Sequence, residues 1–228
     1  MTSYVEEHEW PEKLTAHVVD DGKGEPPRIH GYDVEADLAR HYPFSTTVLL
    51  ALTGELPVDA RSAALDVALQ FLAPAAVATA PAHAAVLARV AGCRTANIVA
   101  VGAVGLCEQA RDIVARHGET LAWLGGGATD EPPPCARAVD SLDREPTARL
   151  RAALGASGLA VPALARDVSR EAAVLAALHA CGLARPDQIE TAFVLARLPC
   201  VAAEAFAYAH ARVRDYPVNL PRIEHEDR

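Results

Sequence analysis

Apolar positions recur along this chain at helical rather than strand spacing. Between residues 59 and 72, Ala64, Leu65, Ala68, Leu69 and Leu72 fall on one face of a single helix that Asp59 can cap. The densest stretch is residues 31 to 57, GYDVEADLARHYPFSTTVLLALTGELP. Asp33 can cap a first helix with its side-chain oxygen, and Glu35 and Asp37 place negative charge in the first turn, where free N–H groups favour it. Pro43 ends that helix at His41-Tyr42. Ser45 is a candidate cap for a second helix. Its Val48, Leu49, Leu50 and Leu52 are too continuously apolar for a surface position, so this helix is expected to be buried. Gly54 closes it in the left-handed position, and Pro57 prevents resumption.

Elsewhere the pattern predicts a small β-hairpin before residue 31, from LTAHVVDD and RIHGY around a Gly-Pro turn. A helix is expected from Pro81 to Gly92. Another begins at Thr95 or Asn97, is small and apolar to Leu106, turns amphipathic and stops at Gly118; its Ala, Val and Gly allow close packing, which suits a core hub. LGGGATDEPPPC, residues 124 to 135, forbids regular structure and marks a loop or domain seam. Helices are predicted at 143 to 157, 164 to 181 and 186 to 198, with Pro199 kinking or breaking the last and an extended tail from Asp215. The chain so divides into 1 to 123 (hairpin and large helical core), 124 to 185 (loop and smaller helical part) and 186 to 228 (helices and tail returning to the core).

Composition agrees with a mainly α class: 51% of residues are apolar but only 5% aromatic, so Ala and Leu dominate where a sheet would want β-branched and aromatic side chains. The formal charge of −9, with no basic stripe, argues against nucleic acid as a partner. It also means that an anionic ligand must be held by local arginines. The acidic N-terminus lacks the apolar core of a signal peptide, and no run of about 18 uncharged apolar residues occurs, so a soluble, cytoplasmic protein without membrane partners is expected. Five scattered cysteines without a C-x-x-C pair fit reduced thiols rather than disulfides or a metal site. The tail IEHED reads as a solvated charge run.

Three segments carry a resemblance. Gly31-Tyr32, Phe44-Ser45 and Thr53-Gly54-Glu55-Leu56-Pro57 stand in one order and spacing; FVLARLPCVAAEAF, residues 193 to 206, contains Arg197; and CARAVDSLDREPTARL, residues 135 to 150, contains Asp143-Arg144. In these segments the chain resembles a short, divergent member of the citrate synthase and citryl-CoA lyase superfamily. The resemblance implies a compact citrate synthase-like helical bundle that forms or cleaves a carbon–carbon bond between a CoA thioester and a keto or hydroxy di- or tricarboxylic acid. Coenzyme A then enters as a substrate ester, with no cofactor bound permanently. It further implies a homodimer joined through Ala/Gly-rich helices, a role that residues 95 to 106 fit.

The resemblance also implies site residues. Arg197 falls on an arginine that holds a substrate carboxylate, a task suited to a planar, permanently charged guanidinium; the plainer reading is an ion pair with Glu190 or Glu204. Arg144 would help hold the carboxylate, and Arg137 would face a carboxylate or a CoA phosphate; the alternative is an exposed arginine at a helix start. Such chemistry needs a base for the α-proton and donors for the enol and the acceptor carbonyl. Where the family has its catalytic aspartate this chain has Ser169, with Asp167 two residues earlier, and Asp167 reads equally as a helix cap. His117 stands later than the family histidine and reads equally as a helix-terminal residue favoured by the dipole. The histidine heading the third segment is missing, with Cys135 near its place. These departures sustain a second reading, a catalytically degenerate paralogue serving as a binding or regulatory subunit of a hetero-oligomer, and a third, a plain helical interaction domain.

Overall fold

A computed structural model describes residues 16–20 and 26–208 of the chain; the extended tail and the IEHED segment lie outside the described residues. The hairpin forms as predicted. β1 (Val18–Val19) pairs antiparallel with β2 (Arg28–Ile29), and β2 with a third short strand, β3 (Tyr32–Asp33). Asp33 accepts from the backbone N–H groups of Glu35 and Ala36, capping a π-helical turn, Val34–Leu38, that tightens into α1 (Ala39–His41) before Pro43.

Helices make up the rest: α2 (Phe44–Thr53), α3 (Asp59–Leu72), α4 (Ala80–Val90), α5 (Thr95–Arg116), α6 (Gly118–Gly125), α7 (Ser141–Ala156), α8 (Arg170–Ala180) and α9 (Pro186–Ala207). α2 is buried through Val48, Leu49 and Leu50, and Gly54 ends it at φ 79°. Ser45 does not cap it. Pro43 holds the cap position, and the buried Ser45 hydroxyl donates instead to Asp66 on α3 (3.0 Å), tying the two helices together. Asp59 likewise is the first residue inside α3, behind Val58, rather than its cap.

Three other expectations are revised. α5 ends as expected, at Arg116 ahead of Gly118, but the loop expected from residue 124 begins later, because α6 starts directly after the His117 turn and its buried Thr120 and Leu124 draw helix into the first of the glycines. The helix expected from residue 164 starts only at Arg170, because Ser169 caps it by accepting from the Ala172 N–H (3.2 Å) while Val168 pairs with Arg137 in an antiparallel bridge. Pro199 neither breaks nor ends α9, which runs on to Ala207.

Two apolar clusters organise the packing. The larger gathers α3, α7, α8 and the first half of α9 around Leu65, Leu150, Leu175, Leu178 and Ile189. Each such leucine withdrawn from water contributes about 1.5–3 kcal/mol. α8 is buried at every position from Ala172 to Leu178 and is the central helix of this cluster. The second cluster is a close-packed layer of α4, α5 and α9, through Ala82, Ala85, Ile98, Leu106, Val201 and Ala205. α5 is thus the hub of this layer, while its Val101 and Val104 stay exposed.

Candidate active site

Two open clefts meet at the start of α8. The chain leaves the Gly/Pro-rich loop through Pro134–Ala136 and is sewn to the residues ahead of α8 by backbone bonds: Ser169 N–H donates to the Ala136 carbonyl (2.7 Å) and Ala138 N–H to that of Asp167 (3.1 Å). This stitching sets Cys135 and Arg137 beside Ser169, Arg170 and Glu171 around a cleft of about 670 Å³ that also reaches His117. Arg170 and Glu171 line a second cleft too, of about 340 Å³, walled by α3, α5 and α9 and containing Arg197.

His117 sits at the α5–α6 turn and is only 4% exposed. Both ring nitrogens are engaged: Nε2 with Glu171 Oε2 at 3.1 Å and Nδ1 with Thr120 Oγ1 at 3.0 Å. Thr120 Oγ1 is in turn 3.3 Å from Cys135 Sγ. A polar chain therefore crosses from an ionisable carboxylate on one side of the imidazole to an exposed thiol on the other. Glu171 also meets Arg116 (3.4 Å). The hydrogen bond from His117, and then the charge of Arg116, hold its carboxyl below the usual carboxylate range against the opposing effect of burial, so Glu171 is anionic at neutral pH.

Arg197 projects from the middle of α9 and is half-buried. Its Nε donates to the Leu72 carbonyl (3.0 Å), its Nη1 to Gln109 Oε1 (2.8 Å), and its guanidinium lies 5.4 Å from the centre of the Phe193 ring. Neither Glu190 nor Glu204 pairs with it, and among the described residues it has no carboxylate partner. Burial pushes its pKa down, and the like charge of Arg170 adds to that, with Glu171 opposing. Two cations thus face one cleft, one of them fixed in place by neutral acceptors, which is an environment that an anion relieves.

Of the residues singled out from sequence, His117, Arg137 and Arg197 lie around these joined clefts. Arg137 donates to the Pro132 carbonyl (2.9 Å) and pairs with Glu131 (3.2 Å) at the outer rim. Arg144 and Asp167 lie elsewhere, bonded to each other in a separate cleft of about 270 Å³ lined also by Leu164, Arg166 and Val168. Arg144 Nε and Nη2 donate to the two Asp167 oxygens at 3.0 and 2.9 Å, and that hydrogen bonding lowers the Asp167 pKa and raises that of Arg144. Asp167 therefore does not cap α8. Asp143 instead receives the Arg170 and Val139 N–H groups, at 3.1 Å each, bracing the loop against the helix.

Glu171, Arg170, Thr120 and Gln109 escape sequence reading. Glu171 in a first helical turn looks like an ordinary dipole partner, and nothing local reports that His117, 54 residues earlier, meets it. Among the described residues no cluster of three or more His, Cys, Asp or Glu is arranged to hold a metal ion.

Comparison by sequence finds no matching family model and no curated relative. Comparison by structure finds several. A citryl-CoA lyase from Hydrogenobacter thermophilus superposes with a TM-score of 0.68 at 16% identity, over 96% of this chain and 97% of that one. An ATP citrate lyase from Methanothrix soehngenii, solved with citrate and coenzyme A, gives 0.58 at 16% identity. One from Methanosaeta concilii, a variant solved with (3S)-citryl-CoA, gives 0.57 at 14%. In both of these, 93% of this chain is covered, but it spans only 42% of the ATP citrate lyase chain. The architecture is therefore citryl-CoA lyase-like, a compact, mainly α fold with a small N-terminal sheet.

Proposed function

We propose that this protein acts on a CoA thioester and a keto or hydroxy carboxylic acid, in the manner of a citryl-CoA lyase, making or breaking a carbon–carbon bond. The observation that carries the reading is Arg197: half-buried, fixed by Leu72 and Gln109, without a carboxylate partner among the described residues, and lining one cleft with Arg170 and Glu171. A substrate carboxylate supplies the missing counter-charge. Arg137 and Arg116 line the adjoining larger cleft, where they favour the phosphates of a CoA ester. In this reading His117 holds and returns a proton, reaching the clefts through Glu171 on one side and through Thr120 and Cys135 on the other. In the cleavage direction a proton leaves the hydroxyl of the bound acyl group, the carbon–carbon bond breaks to give the carbonyl of the acid and the enolate of the shorter thioester, and the enolate takes a proton on carbon.

The second reading, a binding or regulatory paralogue without turnover, has its own support. Ser169 caps α8, and the nearby carboxylates Asp167 and Glu171 are both held below the ordinary range, the opposite of the upward tuning that makes a carboxylate a good base. In either reading two copies pair through the exposed apolar face of α5 and α9, where Cys107, Val194, Leu195 and Leu198 line a groove beside Val101 and Val104.

Calorimetry with acetyl-CoA, citrate and a panel of 2-oxo acids, together with turnover assays, tests both. Arg197→Ala is expected to weaken acid binding roughly 10- to 100-fold, the value of a charge-assisted hydrogen bond, without losing the fold by thermal melting. Arg197-dependent binding with turnover supports the enzyme. Arg197-dependent binding without turnover supports the paralogue, and no binding of any acid or CoA ester removes both.

A further inference from the structure

Cys135 ends a hydrogen-bonded relay whose protons can be assigned one by one. Glu171 is anionic and lies 3.1 Å from His117 Nε2, so in the neutral imidazole the single ring proton sits on Nε2 and is donated to the carboxylate. Nδ1 is thereby left as an acceptor. The Thr120 hydroxyl, 3.0 Å away, donates to it, and its lone pairs then accept from the Cys135 S–H at 3.3 Å. Thr120 is fully buried and His117 nearly so, and neither group exchanges these partners for bulk water.

The thiol end of the relay is open. Cys135 is exposed and lines the cleft of about 670 Å³ together with Arg116, Arg137 and Arg170. Its backbone is held in the short helical turn Pro134–Ala136, behind Pro132 and Pro133, and is pinned where Ser169 N–H donates to the Ala136 carbonyl (2.7 Å). The order of groups is that of an activated nucleophile: a sulfur, a base, and a carboxylate that orients the base, with one hydroxyl inserted between sulfur and base. Moving one proton from sulfur to Thr120 and another from Thr120 to Nδ1 leaves a thiolate in the cleft and an imidazolium paired with Glu171. The guanidinium groups lining the cleft favour that thiolate. Resting on the reading of this cleft as the CoA-thioester site, we propose that Cys135 is an acyl acceptor. Its sulfur attacks the thioester carbonyl, the carbon–sulfur bond to CoA breaks, and the chain carries the acyl group as a Cys135 thioester. The proton lent to His117 returns through Thr120 to the departing CoA sulfur. One thioester is exchanged for another, so the step needs no oxidant, reductant or further reactant.

The test incubates the full chain with acetyl-CoA and reads the intact mass, the labelled residue and the free CoA released. The expected result is a single acetyl group on Cys135, removed by neutral hydroxylamine as a thioester is, with an equal amount of CoA set free. Cys135→Ala, at an exposed position, should abolish the label. Thr120→Val keeps the thiol but cuts the relay and should slow acylation about 100-fold, the lower end of a general-base contribution, while Thr120→Ser restores the hydroxyl and most of the rate. If Thr120→Val fails to fold, the wild type and Cys135→Ala still decide whether Cys135 accepts the acyl group. Label that survives Cys135→Ala, or that forms as fast in Thr120→Val as in the wild type, overturns the inference. Acetyl-CoA binding by calorimetry with no label on Cys135 overturns it while leaving the CoA-thioester reading in place, and absence of binding overturns both.

Discussion

Glu171 shows how much at this site depends on one side chain. It joins the two clefts, fixes His117 through Nε2 and balances Arg116. Its carboxyl is held below the usual range in the folded chain, so the anion is favoured by folding. The stability this contributes is present above the ordinary carboxylate pKa and is lost as pH falls through the lowered folded value. Denaturation midpoints of the wild type should therefore fall as the pH drops below the ordinary carboxylate range, and Glu171→Gln should flatten part of that fall. At pH 7 the same variant should cost about 1 kcal/mol, toward the low end for a lost charged hydrogen bond because the carboxylate is half-exposed. Equal acid sensitivity in both proteins would show that His117 is held by something else. Cys181 sits at the other extreme: burial raises its thiol pKa to about 12, which leaves it a protonated core filler, while Cys107 and Cys135 are exposed.

At the scale of elements, the close approach of α5 to its neighbours depends on glycine. A Cβ on Gly102 would lie 2.7 Å from Val201 Cγ1 on α9, and one on Gly105 would lie 3.1 Å from the Pro81 backbone on α4. Gly102→Ala gains helix propensity but overpacks the layer, so a net loss of about 1 to 2 kcal/mol in thermal or urea denaturation is expected. Adding Val201→Ala should recover part of it, since the two changes share one contact. Additive losses would mean that the helices had moved apart instead. Burial against both apolar clusters explains why Pro199 leaves α9 continuous. Ala196 precedes it and Val201 and Ala205 follow it, all buried, so packing on both sides outweighs the hydrogen bond that proline removes.

For the whole molecule, the unburied side of that layer matters most. Val104 is 65% exposed and Val101 39%, on a helix whose other faces are packed, next to the groove between α5 and α9. Apolar surface gathered in this way marks an association face. Light scattering should give a dimer mass for the wild type, and Val104→Arg should shift it toward the monomer while the far-ultraviolet signal of the helices persists. A monomeric wild type would remove the dimer proposal.

Sequence alone determined the helical class, the Asp33 and Gly54 signals, the buried α2 and the short hairpin, because caps, left-handed glycines and apolar periodicity act over a few residues. It also marked His117, Arg137 and Arg197, through local pattern and resemblance. Several local signals were outbid by distant partners: Ser45 turned to Asp66, Asp167 to Arg144, and the capping of α8 fell to Ser169. Which arginines share a cleft, that Glu171 meets His117, and that Leu72 and Gln109 hold Arg197 were decided only by the tertiary structure. The physical reason is range. These contacts join residues 54 to 125 positions apart, and only the packing of α3, α5, α8 and α9 brings them within bonding distance.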